Sequence, residues 1–350
     1  MDRLRAAVEL APSGKDFATG LLVDLVAALR RAAPGELVAF TTSAPIDEDV
    51  ERWARFTGNA LIAHTREPEG WRYVVRHGTA PVAAGDGGAA DDERPIGSRL
   101  WLYTNFDCNL ACDYCCVRSS PAAPRRELGL ERVRAIAREA GALGVTDLFV
   151  TGGEPFLLED IGEILAACAQ AARTTVLTNG MLFAGRRRDA LAALPRDRVV
   201  LQISLDSAAP RLHDLHRGAG SWAKAQRGIA VARGLGFRVR LAATVATEAE
   251  ERALAEHFDR EGVATEDRVV RRVALRGLAS EGVALARGDL WPEPTVTAGG
   301  VYWHPVGADD DDFFVTGDAL PLARAVEAVR LAWEEERRFA RTLASVFHCA

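Results

Sequence analysis

Apolar positions repeat along this chain with two periods, helical and alternating, that trade places from segment to segment. Leu22, Leu25, Val26 and Leu29 fall at i, i+3, i+4 and i+7, which predicts a helix ended by Pro34-Gly35. The apolar run Leu37 to Phe40 predicts a strand, and Val50, Trp53 and Phe56 a second helix closing at Gly58. Ala60 to Ala63, then Trp71, Tyr73 and Val75 in alternation, predict two more strands. With Arg5 to Leu10 as an opening strand, residues 1–78 form a small domain in the order β-α-β-α-β-β.

Residues 79–97, TAPVAAGDGGAADDERPIG, have no periodicity and read as a flexible linker. Beyond them strands and helices alternate. Strands are expected at Leu100 to Thr104, Leu148 to Thr151, Thr175 to Thr178, Val199 to Leu205, Phe237 to Val245 and Val269 to Ala274. Helices are expected at 127–140, around Ile161 to Cys168, near 186–193, and at 221–233 and 248–260. Repeated βα units imply parallel strands covered by helices, and six are too few for a closed eight-stranded barrel. The expected fold class is therefore α/β, a partial (βα)6 barrel over 98–275. Residues 276–350 add a hairpin about Gly299-Gly300, flanked by Val296 and Val301, and a last helix at 319–342.

Composition narrows this only a little. The 350 residues, 48% hydrophobic and 26% charged, are those of an ordinary globular chain. A net charge of −6 argues against a nucleic-acid surface as the chief feature. No run approaches the roughly 18 apolar residues of a membrane span, and MDRLRAAVELAPSGKDF lacks the apolar core of a secretory signal. A cytoplasmic location is expected.

The cysteines change the picture more. Cys108, Cys112, Cys115 and Cys116 crowd into one short loop after the first strand of the large domain, while Cys168 and Cys349 stand apart. Thiols this close together in a reducing compartment point to metal or redox chemistry rather than to a disulfide framework. Cys108, Cys112 and Cys115 can converge on one iron–sulfur cubane and leave one iron open to another molecule. A structural zinc would need a second paired Cys/His cluster; His213 and His216 could be distant ligands, though nothing in the sequence places them together. Cys168, on an apolar helix face, reads as core; Cys116 reads as packing and Cys349 as a frayed tail. Asp309 to Asp312 could bind a cation, but read first as a solvated turn, because consecutive carboxylates repel one another.

Cys108-Asn-Leu-Ala-Cys112-Asp-Tyr-Cys115 resembles the C-x3-C-x-aromatic-C hallmark of the radical S-adenosylmethionine (SAM) superfamily, with Tyr114 as the aromatic. The resemblance covers about 98–275 and includes later motifs in the expected order. Gly152-Gly153-Glu154-Pro155 matches the segment that holds the SAM amino group, its glycines allowing close approach to a ligand. Thr178-Asn179-Gly180 closes the third strand. Ser204-Leu205-Asp206 matches the ribose-contacting region, with strand-end capping as the alternative, and Arg217 the position that pairs with the SAM carboxylate, with a surface salt bridge as the alternative. The resemblance implies a 4Fe–4S cluster, SAM and an electron donor such as a flavodoxin or ferredoxin. It also implies hydrogen abstraction by a 5′-deoxyadenosyl radical from a peptide or small metabolite. The alternative is a non-catalytic iron–sulfur and SAM-binding redox sensor or docking module.

Two further resemblances come with departures. Residues 1–78 are similar to the TusA/SirA-like sulfur-carrier fold, but Phe17-Ala18-Thr19-Gly20 stands where that family has Cys-Pro-x-Pro, so no sulfur relay is expected. The C-terminal hairpin resembles SPASM and twitch subdomains. No cysteine lies between Cys168 and Cys349, so no auxiliary cluster is expected there.

Overall fold

A computed structural model describes residues 4–10, 21–33, 35–56, 59–68, 70–77 and 94–346. Residues 79–93 of the expected linker, Phe17 to Gly20, and Cys349 lie outside the described residues. Two compact units divide the chain, Met1–Ala89 and Ala90–Ala350.

In the first unit β1 (Val8–Glu9), α1 (Leu21–Arg31), β2 (Leu37–Thr42), α2 (Asp47–Phe56), β3 (Ala60–Glu67) and β4 (Gly70–Arg76) follow the expected order. They build a sheet ordered β1-β2-β4-β3, with β1 parallel to β2 and the other pairs antiparallel. Val38, Phe40, Tyr73 and Val75 put alternate side chains on one face, where Leu25 and Leu29 of α1 and Val50 and Trp53 of α2 cover them. The Tyr73 hydroxyl accepts from Ile46 N at 2.8 Å and donates to Asp47 Oδ1 at 3.0 Å, tying the start of α2 to the sheet.

The second unit runs β5 (Arg99–Tyr103), α3 (Leu130–Leu143), β6 (Asp147–Thr151), α4 (Ile161–Ala171), β7 (Arg173–Thr178), α5 (Gly185–Ala192), β8 (Val199–Ser204), α6 (Pro210–Arg217), α7 (Ser221–Gly234), β9 (Arg238–Val245), α8 (Glu248–Arg260) and β10 (Arg268–Arg272). After these come β11 (Thr295–Thr297), β12 (Gly300–Tyr302), β13 (Phe314–Thr316) and α9 (Leu322–Val346). One sheet takes all its strands, in the order β10-β9-β8-β7-β6-β5-β11-β12-β13. β5 to β10 are parallel throughout. Leu100 and Leu102, Leu148 and Val150, Val176, Leu201 and Ile203, and Leu241 and Ala243 share one core with Val133, Ile136, Ile164, Leu165, Ile229 and Leu254 of the helices. Period-two alternation therefore sends their neighbours to the opposite face.

That face is concave. On it Leu177 of β7, Gln202 of β8, Thr244 of β9 and Arg271 of β10 line one cavity. This is the partial barrel expected. Three details differ from expectation. β11 does more than open a hairpin: it pairs in parallel with β5, Val296 opposite Leu102, and widens the sheet. α3 begins at Leu130 rather than 127, because Gly129 holds φ 80 at its start. The short helix α6 was not expected at all. Among the described residues no helix is long and apolar enough to cross a membrane.

Candidate active site

The cysteine loop leaves the C-terminal end of β5 and is fixed there by the GGEP turn that ends β6. Gly153 N donates to Asn105 O at 3.0 Å and Glu154 N to Asp107 O at 3.1 Å, while Asn105 Nδ2 donates to Glu154 O at 3.0 Å. A Cβ on Gly152 would stand 2.3 Å from Asn105 Oδ1, and one on Gly153 2.2 Å from Asp107 O. The approach these glycines permit is thus between two parts of the chain itself, where sequence reasoning had placed a ligand. Gly277, at φ +64, serves the other side: its Cβ would meet Cys115 O at 2.2 Å, and Leu278 N donates to that same oxygen at 2.9 Å.

Cys108 is buried, and Cys112 and Cys115 are half-buried. Leu110 N donates to Cys108 Sγ at 3.4 Å and Ser119 N to Cys115 Sγ at 3.3 Å. Burial first, and then the neighbouring thiols and carboxylates, push Cys108 up to about 12 and Cys112 to about 11. Buried thiols that repel one another's charge, with amide hydrogens aimed at two sulfurs, fit a cationic iron–sulfur group, which reverses that preference and favours thiolates. Among the described residues no three His, Cys, Asp or Glu side chains converge on a single-ion site.

Glu154 is buried at the base of the loop. Its Oε1 accepts from Phe156 N at 3.0 Å and Thr178 Oγ1 at 2.8 Å, its Oε2 from Asn179 N at 2.8 Å. Burial raises its pKa against those three donors. Pro155 opens the turn that follows. Asn179 Nδ2 in turn donates to Asn109 Oδ1 at 2.7 Å, bridging the end of β7 to the cysteine loop.

Asp206 is the hub of the opposite wall. Its carboxylate accepts from the Tyr114 hydroxyl, from Nε and Nη2 of Arg217, and from Thr244 N at 3.0 Å. Burial would raise its pKa; Arg217 and the hydrogen bonds prevail and hold it below the usual carboxylate range. Arg217, expected to meet a SAM carboxylate, is therefore engaged by Asp206, and Asp206, expected to meet a ribose, by Arg217. Ser204 remains open to a cavity of about 100 Å³ that Leu177, Gln202, Arg217, Thr244 and Arg271 also line.

The two histidines considered as distant ligands are occupied elsewhere. His213 Nδ1 accepts from Asp206 N at 3.2 Å, and His216 Nδ1 pairs with Asp113 at 2.8 Å. Cys168 sits in the core. Cys116 packs beside the ligand loop, with burial pushing its thiol to about 12. The acidic turn is not merely solvated: Asp309 meets Arg126 at 2.6 Å and Arg118 at 3.5 Å, and Asp310 binds Arg276. These arginines offset the repulsion and tie the turn to the cysteine loop. Sequence reasoning missed Asn105, Asn109 and Arg271. Only Arg271 left a trace, alternating with Val269 on the face opposite Val270.

Residues 102–258 match the family model of the radical SAM superfamily. The chain carries a radical SAM domain. Relatives include the antilisterial bacteriocin subtilosin biosynthesis protein AlbA of Bacillus subtilis (strain 168), 35% identical over 164 residues, 45% of this chain and 35% of that protein. GTP 3′,8-cyclase of Synechococcus sp. (strain CC9605) is 37% identical over 163 residues, 41% of this chain and 46% of that one. PqqA peptide cyclase of Ruegeria pomeroyi (strain ATCC 700808 / DSM 15171 / DSS-3) is 38% identical over 111 residues, 31% and 28%. This chain spans less than half the length of each. The radical SAM domain also shares its fold with native anSMEcpe with bound AdoMet, at a TM-score of 0.53 and 13% identity over 67% of this chain and 84% of that one.

Proposed function

We propose that the protein is a radical SAM enzyme that modifies a peptide, with Cys108, Cys112 and Cys115 holding a 4Fe–4S cluster. The observation that carries this is the locking of a three-thiol loop onto the GGEP turn at the C-terminal end of β5, with amide donors on two of the sulfurs. The bound cluster and SAM would supply one-electron cleavage of SAM to methionine and a 5′-deoxyadenosyl radical that abstracts a substrate hydrogen.

The chain's own residues orient and shield. Glu154 retains acceptor capacity on Oε2 for the SAM ammonium, with Gly152, Gly153 and Pro155 keeping that carboxylate in place. Asp206 holds Tyr114 and Arg217 together, so that Arg217 can share its remaining N–H groups with the SAM carboxylate and Ser204 can face the ribose. Gly277 and the arginine-bound turn at Asp309 and Asp310 close over the loop and exclude water. The peptide reading rests on the names of two relatives, a bacteriocin biosynthesis protein and a peptide cyclase. We place the enzyme in the cytoplasm with a flavodoxin- or ferredoxin-like donor. Residues 1–78 we read as a TusA/SirA-like unit that docks a partner or presents a substrate, from their element order.

The test is anaerobic reconstitution with iron and sulfide, reduction with dithionite in the presence of SAM, and assay of 5′-deoxyadenosine. The wild type should form it, and a C108A/C112A/C115A triple variant should lose it by at least about a thousandfold while retaining its fold. A loaded cluster that yields no 5′-deoxyadenosine would turn the reading to a redox sensor, and no cluster at all would end it.

A further inference from the structure

The concave face of the sheet carries two arginines, Arg240 and Arg271, that form no ion pair among the described residues. On β10 the outward-facing arginines are matched: Arg268 Nη1 meets Asp259 at 2.7 Å, and Arg272 Nη2 meets Glu251 at 3.0 Å. Arg271, between them in sequence and on the opposite face, makes no hydrogen bond or ion pair among the described residues. It lines the cavity with Gln202, Ser204 and Thr244, and reaches solvent through it. Arg240, on the inward face of β9, has a buried Nε with no partner. Burial, and after it the charge of Arg271, hold the Arg240 guanidinium below its ordinary value.

The nearby carboxylates are already committed. Glu293, the charge that acts most on Arg271, is bound by Arg99 Nη1 at 3.1 Å and by Trp101 Nε1. Asp267, which acts on Arg240, is bound by Arg238 Nε at 2.7 Å. Arg271 is open to the cavity, and Arg240 on the same face keeps a buried, unpartnered Nε; two like charges this close repel unless an anion answers them, and such unbalanced groups gather at functional sites. A cavity of about 100 Å³ is several times the roughly 10–15 Å³ that a single water requires. That admits a carboxylate. The guanidinium fork of Arg271 and the amide of Gln202 suit the two oxygens of such a group.

We propose that Arg271, assisted by Gln202 and with Arg240 behind it, receives a carboxylate of the substrate inside the barrel. The assignment of that carboxylate to a substrate rests on the radical SAM reading above; the existence of the receptor does not.

The experiment is anaerobic isothermal titration of the reconstituted, SAM-saturated protein with three probes: N-acetylglutamic acid α-amide, N-acetylglutamine amide and inorganic phosphate. The carboxylate probe should bind at least about tenfold more tightly than the other two. Arg271→Met should weaken it about tenfold or more, and Arg271→Lys, which keeps the charge, by less. Should Arg271→Met not fold by circular dichroism, Gln202→Leu takes its place, with a severalfold loss expected. Unchanged binding in these variants, equal binding of the glutamine probe, or a preference for phosphate would overturn the proposal. So would carboxylate binding seen only without SAM, which would give Arg271 to SAM itself. Loss of 5′-deoxyadenosine formation with carboxylate binding intact would bring down the radical SAM reading and leave the receptor standing; the reverse would remove the receptor alone.

Discussion

The walls of the barrel treat buried charge in two opposite ways. Beside the cysteine loop, Glu154 has three protein donors and Asp206 four, so these two buried carboxylates are answered within the chain. Across the cavity, Arg271 has no acceptor and the Arg240 Nε is buried without one. The first wall is a scaffold, its geometry set before anything binds; the second is left incomplete, as a surface is when its partner comes from outside. The lesson is that the most heavily hydrogen-bonded acid in a site, here Asp206, positions other groups, while an unanswered one marks where a ligand belongs.

The contrast is sharpest in stability. Asp206→Asn leaves the buried Arg217 without its counter-charge and should cost about 3 kcal/mol or more by urea denaturation. A loss below about 1 kcal/mol would mean the scaffold wall is not balanced as described. Gly153→Ala forces a Cβ to within 2.2 Å of Asp107 O, where backbone must move. It should cost about 2 kcal/mol, with the cysteine loop the first region to gain amide exchange.

Acid should also loosen the scaffold wall. Burial, and then Arg217, pull His213 down to about 4, so it stays neutral when folded while an unfolded histidine takes its proton near pH 6.5. A depressed folded value means the contribution is fully present above pH 6.5 and is lost as pH falls towards about 4. Between pH 7 and pH 5 the wild type should lose roughly 1–2 kcal/mol that His213→Gln does not lose. Equal slopes in the two proteins would remove His213 from that wall. The smallest effect belongs to the open wall: Arg271→Met should change stability by less than about 0.5 kcal/mol, since no partner is lost and a repulsion with Arg240 is relieved. A loss as large as that of Asp206→Asn would erase the contrast.

Much of this fold was legible in the chain. The strands of the barrel follow the apolar runs because parallel strands buried under helices need continuous apolar faces. What escaped had no such pattern. The segment of α6, PRLHDLHR, offers only Leu212 and Leu215 as apolar residues, and Leu215 is 73% exposed. The helix is held instead by polar ties, His213 to Asp206 N and Arg217 to its carboxylate. β11 is three residues long, too short for its pairing with β5 to show in any period.

Sequence alone determined what is local: the alternation of β and α units, the spacing of Cys108, Cys112 and Cys115, and the turn at Gly152-Gly153, because each depends on neighbours a few residues away. Tertiary structure decided how polar groups are shared. Tyr114 and Asp206 stand 92 residues apart, and Arg126 and Asp309 183 apart, yet each pair is joined. Desolvation makes a buried charge take whatever partner the fold brings near, whatever the distance along the chain. For the same reason Arg271 could be recognised as unanswered only once the fold had given Glu293 to Arg99 and Trp101.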